Sequence, residues 1–188
     1  ASADAAGVSY SEMMEMAGQA VCETILTRTT NISEQTILII VGPGNNGGDG
    51  LVTARLLAEA GADVKVYCLR PRDKSDPNLK KANNANVFVA DATNDQRWEV
   101  LTNLLRNADI LVDAMLGIGA RLPVTGAASD ILKQVSKHIA KSDPALKVAV
   151  DCPSGYDCDT GEMDSNLIQA DVTVTFGAAK VGQFIFPG

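Results

Sequence analysis

The chain has 188 residues, of which 46% are hydrophobic, and a formal net charge of −7. This length and apolar content suit one globular domain with a real core, and the acidic balance excludes the basic surface that binds a nucleic-acid backbone. No stretch approaches the ~20 apolar residues of a membrane span, and the N-terminus lacks a basic-then-apolar signal pattern. We therefore expect a soluble protein without membrane or nucleic-acid partners.

The four cysteines are Cys22, Cys68, Cys152 and Cys158, and their spacing matches no metal-binding pattern such as CxxC. A domain of this size does not need disulfides, so we expect reduced thiols and an intracellular, cytoplasmic location, or a mitochondrial one in a eukaryote. The chain has no initiator Met and ends at Phe186-Pro187-Gly188, as expected for a processed chain or one truncated at its C-terminus.

The first predicted element is a helix. Ser9 and Glu12 form a capping box, and an apolar stripe follows from Met13 to about Thr27. This helix precedes the first strand, so it must pack either on the flank of a sheet or on another subunit. Packing in the core is the simpler of the two uses.

A strand and a glycine-rich turn come next. The apolar run Thr36 to Val41 predicts a buried parallel strand, and Gly42 to Gly50, GPGNNGGDG, predicts a turn before a helix from Leu51 to Ala60. Such a turn presents backbone N–H groups to an anion, and its GxGxxG spacing matches the dinucleotide fingerprint, which is weak alone. A carboxylate repels phosphate, so Asp49 is expected to bind sugar hydroxyls, cap backbone amides or face a cation.

The rest of the chain alternates between strands and helices. Predicted strands are Asp63 to Cys68, Val87 to Ala90, Asp109 to Asp113, Leu146 to Val150, Asp171 to Phe176 and a last one around Phe184 to Phe186; predicted helices are Leu79 to Asn84, Asp95 to Ala108 and Ala127 to Ala140. Right-handed βαβ crossovers then give an α/β fold. We predict a Rossmann-like, doubly wound, mainly parallel sheet in the order 3-2-1-4-5, with helices on both faces and an extra N-terminal helix.

Three polar segments follow strands 1, 4 and 5, which are neighbours in this order. They are the glycine-rich turn, Asp113-Ala-Met-Leu-Gly-Ile-Gly119 and Asp151-Cys-Pro-Ser-Gly155. Ligands bind where the strand order reverses, so Asn45, Asn46, Asp49, Asp113 and Asp151 are expected to converge on one crevice. Any one of them could merely cap a helix or shape a turn, but the set favours a functional site.

Two other features are ambiguous. Arg70 and Arg72 follow strand 2, where a conventional NAD-binding domain carries an acidic residue, and they would either meet a 2′-phosphate or lie solvated in a loop. His138, the only histidine, lies among lysines and is interpreted as a solvated surface residue. Trp98 is interpreted as a packing residue of its helix.

Together, GPGNNGGDG and the two later Asp motifs resemble the YjeF N-terminal family, the NAD(P)HX epimerases, from about Ser11 to the end of the chain. The resemblance implies a single domain of this kind over residues 1–188. Cys152, Tyr156 and Val181 depart from the residues usual in the family, but none of them removes a polar group from the motifs.

The resemblance also implies an activity, which is the interconversion of the R and S forms of hydrated NADH and NADPH (NADHX and NADPHX) in nicotinamide nucleotide repair, commonly by a homodimer. It maps the substrate onto Asn45, Asn46, Gly47, Gly48, Asp49, Gly117, Ile118, Gly119, Ala120, Arg121, Leu122, Pro123 and Asp151. Asp151 is the candidate catalytic carboxyl group, which would shuttle protons as the hydroxyl at C6 leaves and water adds to the other face.

A potassium ion, one per subunit, is the cofactor that the resemblance implies, with side-chain ligands Asn46, Asp113 and Ser154. Amide, carboxylate and hydroxyl oxygens are hard ligands, and the sequence offers no His or Cys cluster for zinc or iron. A cation would also relieve the repulsion between several carboxylates near one anion-binding turn.

Two other functional classes stay open. A catalytically inactive dimeric binding or scaffold module would not need the three motifs, all of which are present. An NAD(P)-dependent oxidoreductase would explain GxGxxG, but the chain lacks the acidic residue after strand 2 and has no room for a substrate domain. A nucleophilic Cys152 would lack a base partner.

Overall fold

The structure, a computed structural model, describes residues 7–142 and 144–184. These residues form a parallel sheet in the order β3-β2-β1-β4-β5-β6. The strands are β1 (Thr36–Val41), β2 (Asp63–Cys68), β3 (Phe88–Asp91), β4 (Ile110–Ala114), β5 (Leu146–Val150) and β6 (Val172–Val174), and the helices are α1 (Tyr10–Arg28), α2 (Asn45–Glu59), α3 (Pro77–Asn84), α4 (Glu99–Arg106) and α5 (Gly126–Ile139). The predicted doubly wound α/β fold is confirmed.

The central strand β1 is covered on both faces. Its side chains alternate, so Ile37, Ile39 and Val41 pack with α1, α2 and α3, while Leu38 and Ile40 pack with α4 and α5. All five side chains are fully buried. Each contributes roughly 1.5–3 kcal/mol through the burial of apolar surface, which explains why the strand is a continuous apolar run.

Helix α1 packs against α2, which agrees with the simpler of the two uses expected for it, packing in the core. Its capping box is present, with Ser9 and Glu12 bonded reciprocally. Val21 and Ile25 are fully buried in the core, and the Gly18 carbonyl accepts a hydrogen bond from the Thr53 hydroxyl at 3.3 Å. The helix therefore belongs to the same core as the sheet.

The largest correction to the predicted elements concerns α2, which begins at Asn45 and not at Leu51. The first turns contain two Asn and three Gly, which favour helix poorly, so propensity alone argues for a loop. Packing overrides this propensity. Gly48 and Gly50 pack so closely that a Cβ atom on either would lie 2.6 Å from a side-chain atom of Met14 or Ala114, respectively. The glycine-rich segment is thus mostly helix and not an extended turn.

Other boundaries shift by smaller amounts. Helix α4 begins at Glu99 and not at Asp95, because Asp95 caps it from outside by accepting the amides of Val100 and Leu101. The expected last strand is wrong at its start, since Phe184 ends a 3-10 turn (Val181–Phe184); residues 185 and 186 lie outside the described residues. Trp98 packs against the core beneath α4 and α5, as predicted.

The expectation of four reduced thiols is wrong for one pair, because a disulfide joins Cys152 and Cys158. The turn at Pro153 to Gly155 reverses the chain, with the amide of Tyr156 bonded to the carbonyl of Pro153, and this brings together two cysteines of unremarkable spacing. Cys22 and Cys68 are free and buried, and burial raises the pKa of each thiol to about 11. Among the described residues, no helix is long and apolar enough to cross a membrane.

Candidate functional site

A cleft of about 710 Å³ lies over the carboxyl ends of the central strands, where the strand order reverses between β1 and β4. Residues predicted to bind substrate that line it are Asn45, Asn46, Asp49, Gly117, Ile118, Gly119, Ala120 and Asp151. The other residues that line it are Met13, Pro43, Gly44, Met115, Leu116, Phe176, Gly177 and Lys180. The loops after β1, β4 and β5 therefore meet at one cleft, and of the five residues expected to converge there only Asp113 does not line it.

The start of α2 supplies free backbone amides to this cleft. The N-cap is Gly44, which has no side chain to accept a hydrogen bond, and the first helical bond runs from the Gly48 amide to the Gly44 carbonyl at 3.2 Å. The amides of Asn45, Asn46 and Gly47 precede that bond. With the positive end of the helix dipole behind them, they suit an anionic group such as a phosphate.

Close backbone packing fixes the position of these amides. A Cβ atom on Gly47 would lie 1.9 Å from the Gly42 carbonyl oxygen, and one on Gly42 would lie 1.8 Å from the Met115 carbonyl oxygen. Neither position can hold a side chain without displacing the backbone. Glycine is thus required here by close approach of the chain to itself.

Arg72 holds the same turn from outside. It donates to the Gly42 carbonyl at 2.7 Å and forms an ion pair with Asp76 at 2.7 Å. Its side chain is only 12% exposed. The expectation of a solvated or phosphate-binding arginine is therefore wrong for Arg72, because its donors are used within the fold, whereas Arg70 is exposed.

Asn46 carries an unsatisfied acceptor next to the cleft. Its side-chain amide donates to the Leu116 carbonyl at 3.0 Å, which leaves Oδ1 buried with no hydrogen-bond donor in the described structure. A buried carbonyl oxygen without a partner costs about 1–3 kcal/mol. A cation or a ligand donor would remove that cost.

Asp113 and Ser154 lie beneath Leu116 and are almost fully buried, at 2% and 0% exposure. The Asp113 carboxylate accepts from the Ser154 hydroxyl at 2.5 Å, the Ser154 amide at 2.7 Å and the Met115 amide at 3.2 Å. The Leu116 amide donates to the Ser154 hydroxyl oxygen at 2.9 Å. These bonds connect Asp113, Ser154 and Asn46 through one residue of the loop after β4.

Burial raises the pKa of Asp113, although the hydrogen bonds from Ser154 and Met115 act in the opposite direction. No cationic side chain is among the groups that shift it. A buried carboxylate without a counter-charge is costly, so the chemistry of this donor set fits an added cation. The described residues contain no group of three or more His, Cys, Asp or Glu that could hold a metal ion.

Asp151 follows β5 in a left-handed backbone conformation, with φ of +62°. Aspartate tolerates this region better than most residues, yet the conformation is uncommon and concentrates at functional sites. Its Oδ1 accepts from Lys180 Nζ at 3.0 Å, Phe176 N at 3.2 Å and Thr175 Oγ1 at 3.3 Å. Oδ2 receives no hydrogen bond from the described residues, so one oxygen is held and the other is available.

Asp49 lies one helical turn after Asn45 and lines the same cleft. Its carboxyl group makes no hydrogen bond within the described residues, so it caps no backbone amide there. Burial, helped by the negative charge of Asp151, raises the pKa of Asp49 to about 7. A carboxyl group with a raised pKa therefore lines the same cleft as the ion-paired carboxylate of Asp151.

Several predicted substrate residues do not line the cleft. Gly47 and Gly48 are buried in the first turns of α2, where they shape the amides and do not form the wall. Arg121, Leu122 and Pro123 lie beyond the lining part of the loop, and Arg121 is exposed. His138 is partly buried on α5, away from the cleft, and its pKa is lowered by burial and by Arg106 and Lys141.

Sequence reasoning assigned no binding or catalytic role to Lys180 or to Met13. Lys180 Nζ also donates to the carbonyls of Phe176 and Ala178 at 2.8 and 2.9 Å, so it fixes the segment after β6 against Asp151. Its position after the last parallel strand, at the same edge of the sheet as Asp151, is the sequence signal that could have indicated a role for Lys180 in the site. Met13 was assigned to the apolar stripe that packs in the core, but it lines the cleft.

The chain is similar to a known protein family over most of its length. A family model described as "YjeF-related protein N-terminus" matches residues 10–182. The chain is 37% identical to an NAD(P)H-hydrate epimerase of Limosilactobacillus fermentum, over 94% of this chain and 79% of that protein. It is 34% identical to a bifunctional NAD(P)H-hydrate repair enzyme Nnr of Thermofilum pendens, over 97% of this chain but only 34% of that protein.

Among solved structures, the crystal structure of the yeast protein ynu0 matches with a TM-score of 0.80 at 26% identity. The match covers 94% of this chain and 74% of the yeast chain. The chain thus spans about a third of the bifunctional relative and most of the epimerase and of the yeast protein.

Proposed function

The chain belongs to the YjeF N-terminal family, and from that premise we propose that it is an NAD(P)H-hydrate epimerase, an isomerase that interconverts the R and S forms of NADHX and NADPHX. One observation carries the proposal. The free amides at the start of α2 and the available oxygen of Asp151 face the same cleft. One bound nucleotide could therefore place its phosphate on the amides and its reacting ring near Asp151.

The reaction needs little more than proton transfer. Protonation of the C6 hydroxyl allows it to leave as water, and the ring nitrogen lone pair forms an iminium bond to C6. Water then adds to the opposite face and loses a proton, which restores the substrate with inverted configuration. We propose that Asp151 takes or gives that proton through Oδ2, while Lys180 bonds to Oδ1 and fixes the carboxylate.

The rest of the site binds and shields the nucleotide. Amides at the start of α2 suit a phosphate, and Gly117 to Ala120 form a wall on the other side with little side-chain bulk apart from the exposed Ile118. Met13, Met115 and Phe176 supply apolar surface that excludes water around the ring. These contacts position the substrate without taking part in the chemistry.

We also propose a potassium ion held by Asn46, Asp113 and Ser154. The unsatisfied Oδ1 of Asn46 and the buried carboxylate of Asp113 support it, and the carbonyl of Leu116 lies within the same hydrogen-bonded group. The set has one negative charge, which is too little to favour a tightly held divalent ion. When bound, the ion supplies positive charge that stabilises the loops after β1, β4 and β5 around the nucleotide.

We further infer that the protein forms a homodimer through α1. Tyr10, Met16 and Leu26 are exposed on this helix at 54%, 64% and 36%, although its other face is buried in the core. Analytical ultracentrifugation at micromolar concentration tests this proposal, and Met16→Glu should shift the protein toward monomer. We also propose a cytoplasmic location, because the proposed substrates form from reduced coenzymes; the disulfide between Cys152 and Cys158 must then persist in a reducing compartment, and cell fractionation tests the location.

The epimerase proposal is tested by adding purified protein to separated R or S NADHX and following the epimer ratio by chromatography. Both starting forms should approach the same equilibrium ratio. In water enriched in ¹⁸O, each turnover should place solvent oxygen at C6. No approach to equilibrium from either side would contradict the function, and a change in nicotinamide absorbance with an added hydride acceptor would indicate an oxidoreductase instead.

A further inference from the structure

Asp49 and Asp151 approach the cleft from different elements. Asp49 belongs to α2, on the β1 side, and its backbone carbonyl accepts a hydrogen bond from Thr53 at 2.9 Å. Asp151 lies at the end of β5, held by Lys180. Both line the same cleft, and their charges are close enough to influence each other. A flat ring between them would present one face to each carboxyl group.

We propose, on the basis of the epimerase function proposed above, that Asp49 is a second catalytic carboxyl group, which acts on the ring face opposite Asp151. In one direction Asp49 gives its proton to the departing C6 hydroxyl, and Asp151 accepts a proton from the water that adds to the other face. In the reverse direction the two groups exchange roles. Inversion at C6 then needs no movement of the ring between the two half-reactions.

The proton balance closes over the pair. In the first half-reaction the C6–O bond breaks, the hydroxyl leaves as water with the proton of Asp49, and the nitrogen lone pair forms the iminium bond. In the second, a water oxygen bonds to C6, the iminium electrons return to nitrogen, and one proton moves to Asp151. One proton has passed from Asp49 to Asp151, and exchange with solvent returns it after the product leaves.

The surroundings of Asp49 support the donor role. Its carboxyl group has no hydrogen-bond partner in the described structure, and burial with the charge of Asp151 raises its pKa to about 7, so near neutral pH it keeps a far larger share of its proton than an ordinary aspartate does. Tyr10 of α1 is the other titratable group that senses this carboxyl group, since burial and the charge of Asp49 raise the pKa of its phenol. Lys180 lies in the same cleft but is paired with Asp151. Two carboxyl groups in unlike environments suit one acid and one base.

Asp49→Asn tests the proposal, with Asp130→Asn on the outside of α5 as the matched control. The turnover number of Asp49→Asn should fall at least 100-fold in both directions with KM changed less than threefold, and Asp49→Glu should restore part of it. In either direction the reaction needs one of the two carboxyl groups protonated and the other ionised. The wild-type rate should therefore decline above about pH 7, where the pair loses that proton. That decline should be absent from the residual rate of Asp49→Asn.

The outcomes separate this inference from the function on which it rests. Wild-type protein that epimerises neither form contradicts the epimerase function itself. An active wild type, together with an Asp49→Asn variant that has normal turnover and the same decline above pH 7, overturns the role of Asp49 alone. A raised KM with unchanged turnover would also overturn it, because Asp49 would then bind a sugar hydroxyl and not transfer a proton.

Discussion

Ser154 donates both its hydroxyl and its backbone amide to the carboxylate of Asp113, at 2.5 and 2.7 Å, across 41 residues of sequence. Asp113 belongs to β4 and Ser154 to the turn after β5, so the pair joins the ends of two neighbouring strands under the cleft. Both residues are nearly inaccessible to solvent. The contact therefore fixes the floor of the site as well as the fold.

Ser154→Ala should lower the free energy of unfolding by about 1–3 kcal/mol, because Asp113 loses one of its donors while staying buried. Urea denaturation measures the loss. Ser129→Ala is the matched control, since Ser129 is also a buried serine but lies on α5 away from the cleft, and it should cost less. Equal losses in the two variants would contradict a special role for the bond between Ser154 and Asp113.

Gly47→Ala should disrupt the start of α2. The new methyl group would lie 1.9 Å from the Gly42 carbonyl oxygen, so the backbone must move and overpacking should cost about 1–3 kcal/mol. Gly44→Ala is its control, because a Cβ atom there meets nothing within 4 Å. Thermal unfolding should change for Gly47→Ala and not for Gly44→Ala, and the KM for NADHX should rise for Gly47→Ala.

The sheet order and the convergence of the three polar segments could be predicted from the sequence, because buried parallel strands such as Thr36–Val41 read as apolar runs and topology rules then fix their neighbours. The start of α2 could not, because helix propensity disfavours Asn45 to Gly48 and only packing against Gly42 and Met14 decides it. The partners of Arg72 and Lys180 depend on side-chain directions, which sequence spacing does not contain.

Lys180→Met should lower the turnover number about 10-fold or more, since Asp151 would keep its bonds from Thr175 and Phe176 but lose its ion pair. The substitution retains most of the aliphatic length but removes the bonds to the carbonyls of Phe176 and Ala178, so the free energy of unfolding should also fall by about 1–3 kcal/mol. Lys133→Met on α5 is the control, because its ion pair with Asp130 lies at the surface and contributes little. Steady-state kinetics and thermal unfolding of both variants make the comparison, and full activity of Lys180→Met would exclude the positioning role.

The potassium site should be visible with a heavier ion. Crystals soaked in thallium, which mimics potassium and scatters strongly, should show an anomalous peak between Asn46 Oδ1, Asp113 and Ser154. Asn46→Ala should remove it, whereas Asn45→Ala, one residue away and exposed to the cleft, should keep it. The absence of an anomalous peak at this position at saturating thallium would contradict the proposed ion and would leave the epimerase function unaffected.

Stability should depend on pH through Asp49. The pKa of its carboxyl group is raised from 3.8 to about 7 in the folded chain. Between these values the folded chain keeps a proton that the unfolded chain releases, so the contribution of Asp49 to stability is full below pH 4 and is lost as pH rises to about 7.

Asp49→Asn abolishes this titration and leaves Tyr10, Asp151 and Lys180 in place. The free energy of unfolding of wild type relative to Asp49→Asn should therefore fall by about 1–2 kcal/mol between pH 5 and pH 8, after allowance for solvent at this partly exposed side chain. Urea denaturation of both proteins at four pH values measures it, and a difference that stays constant over this range would show that Asp49 ionises like an ordinary aspartate and cannot be the proton donor.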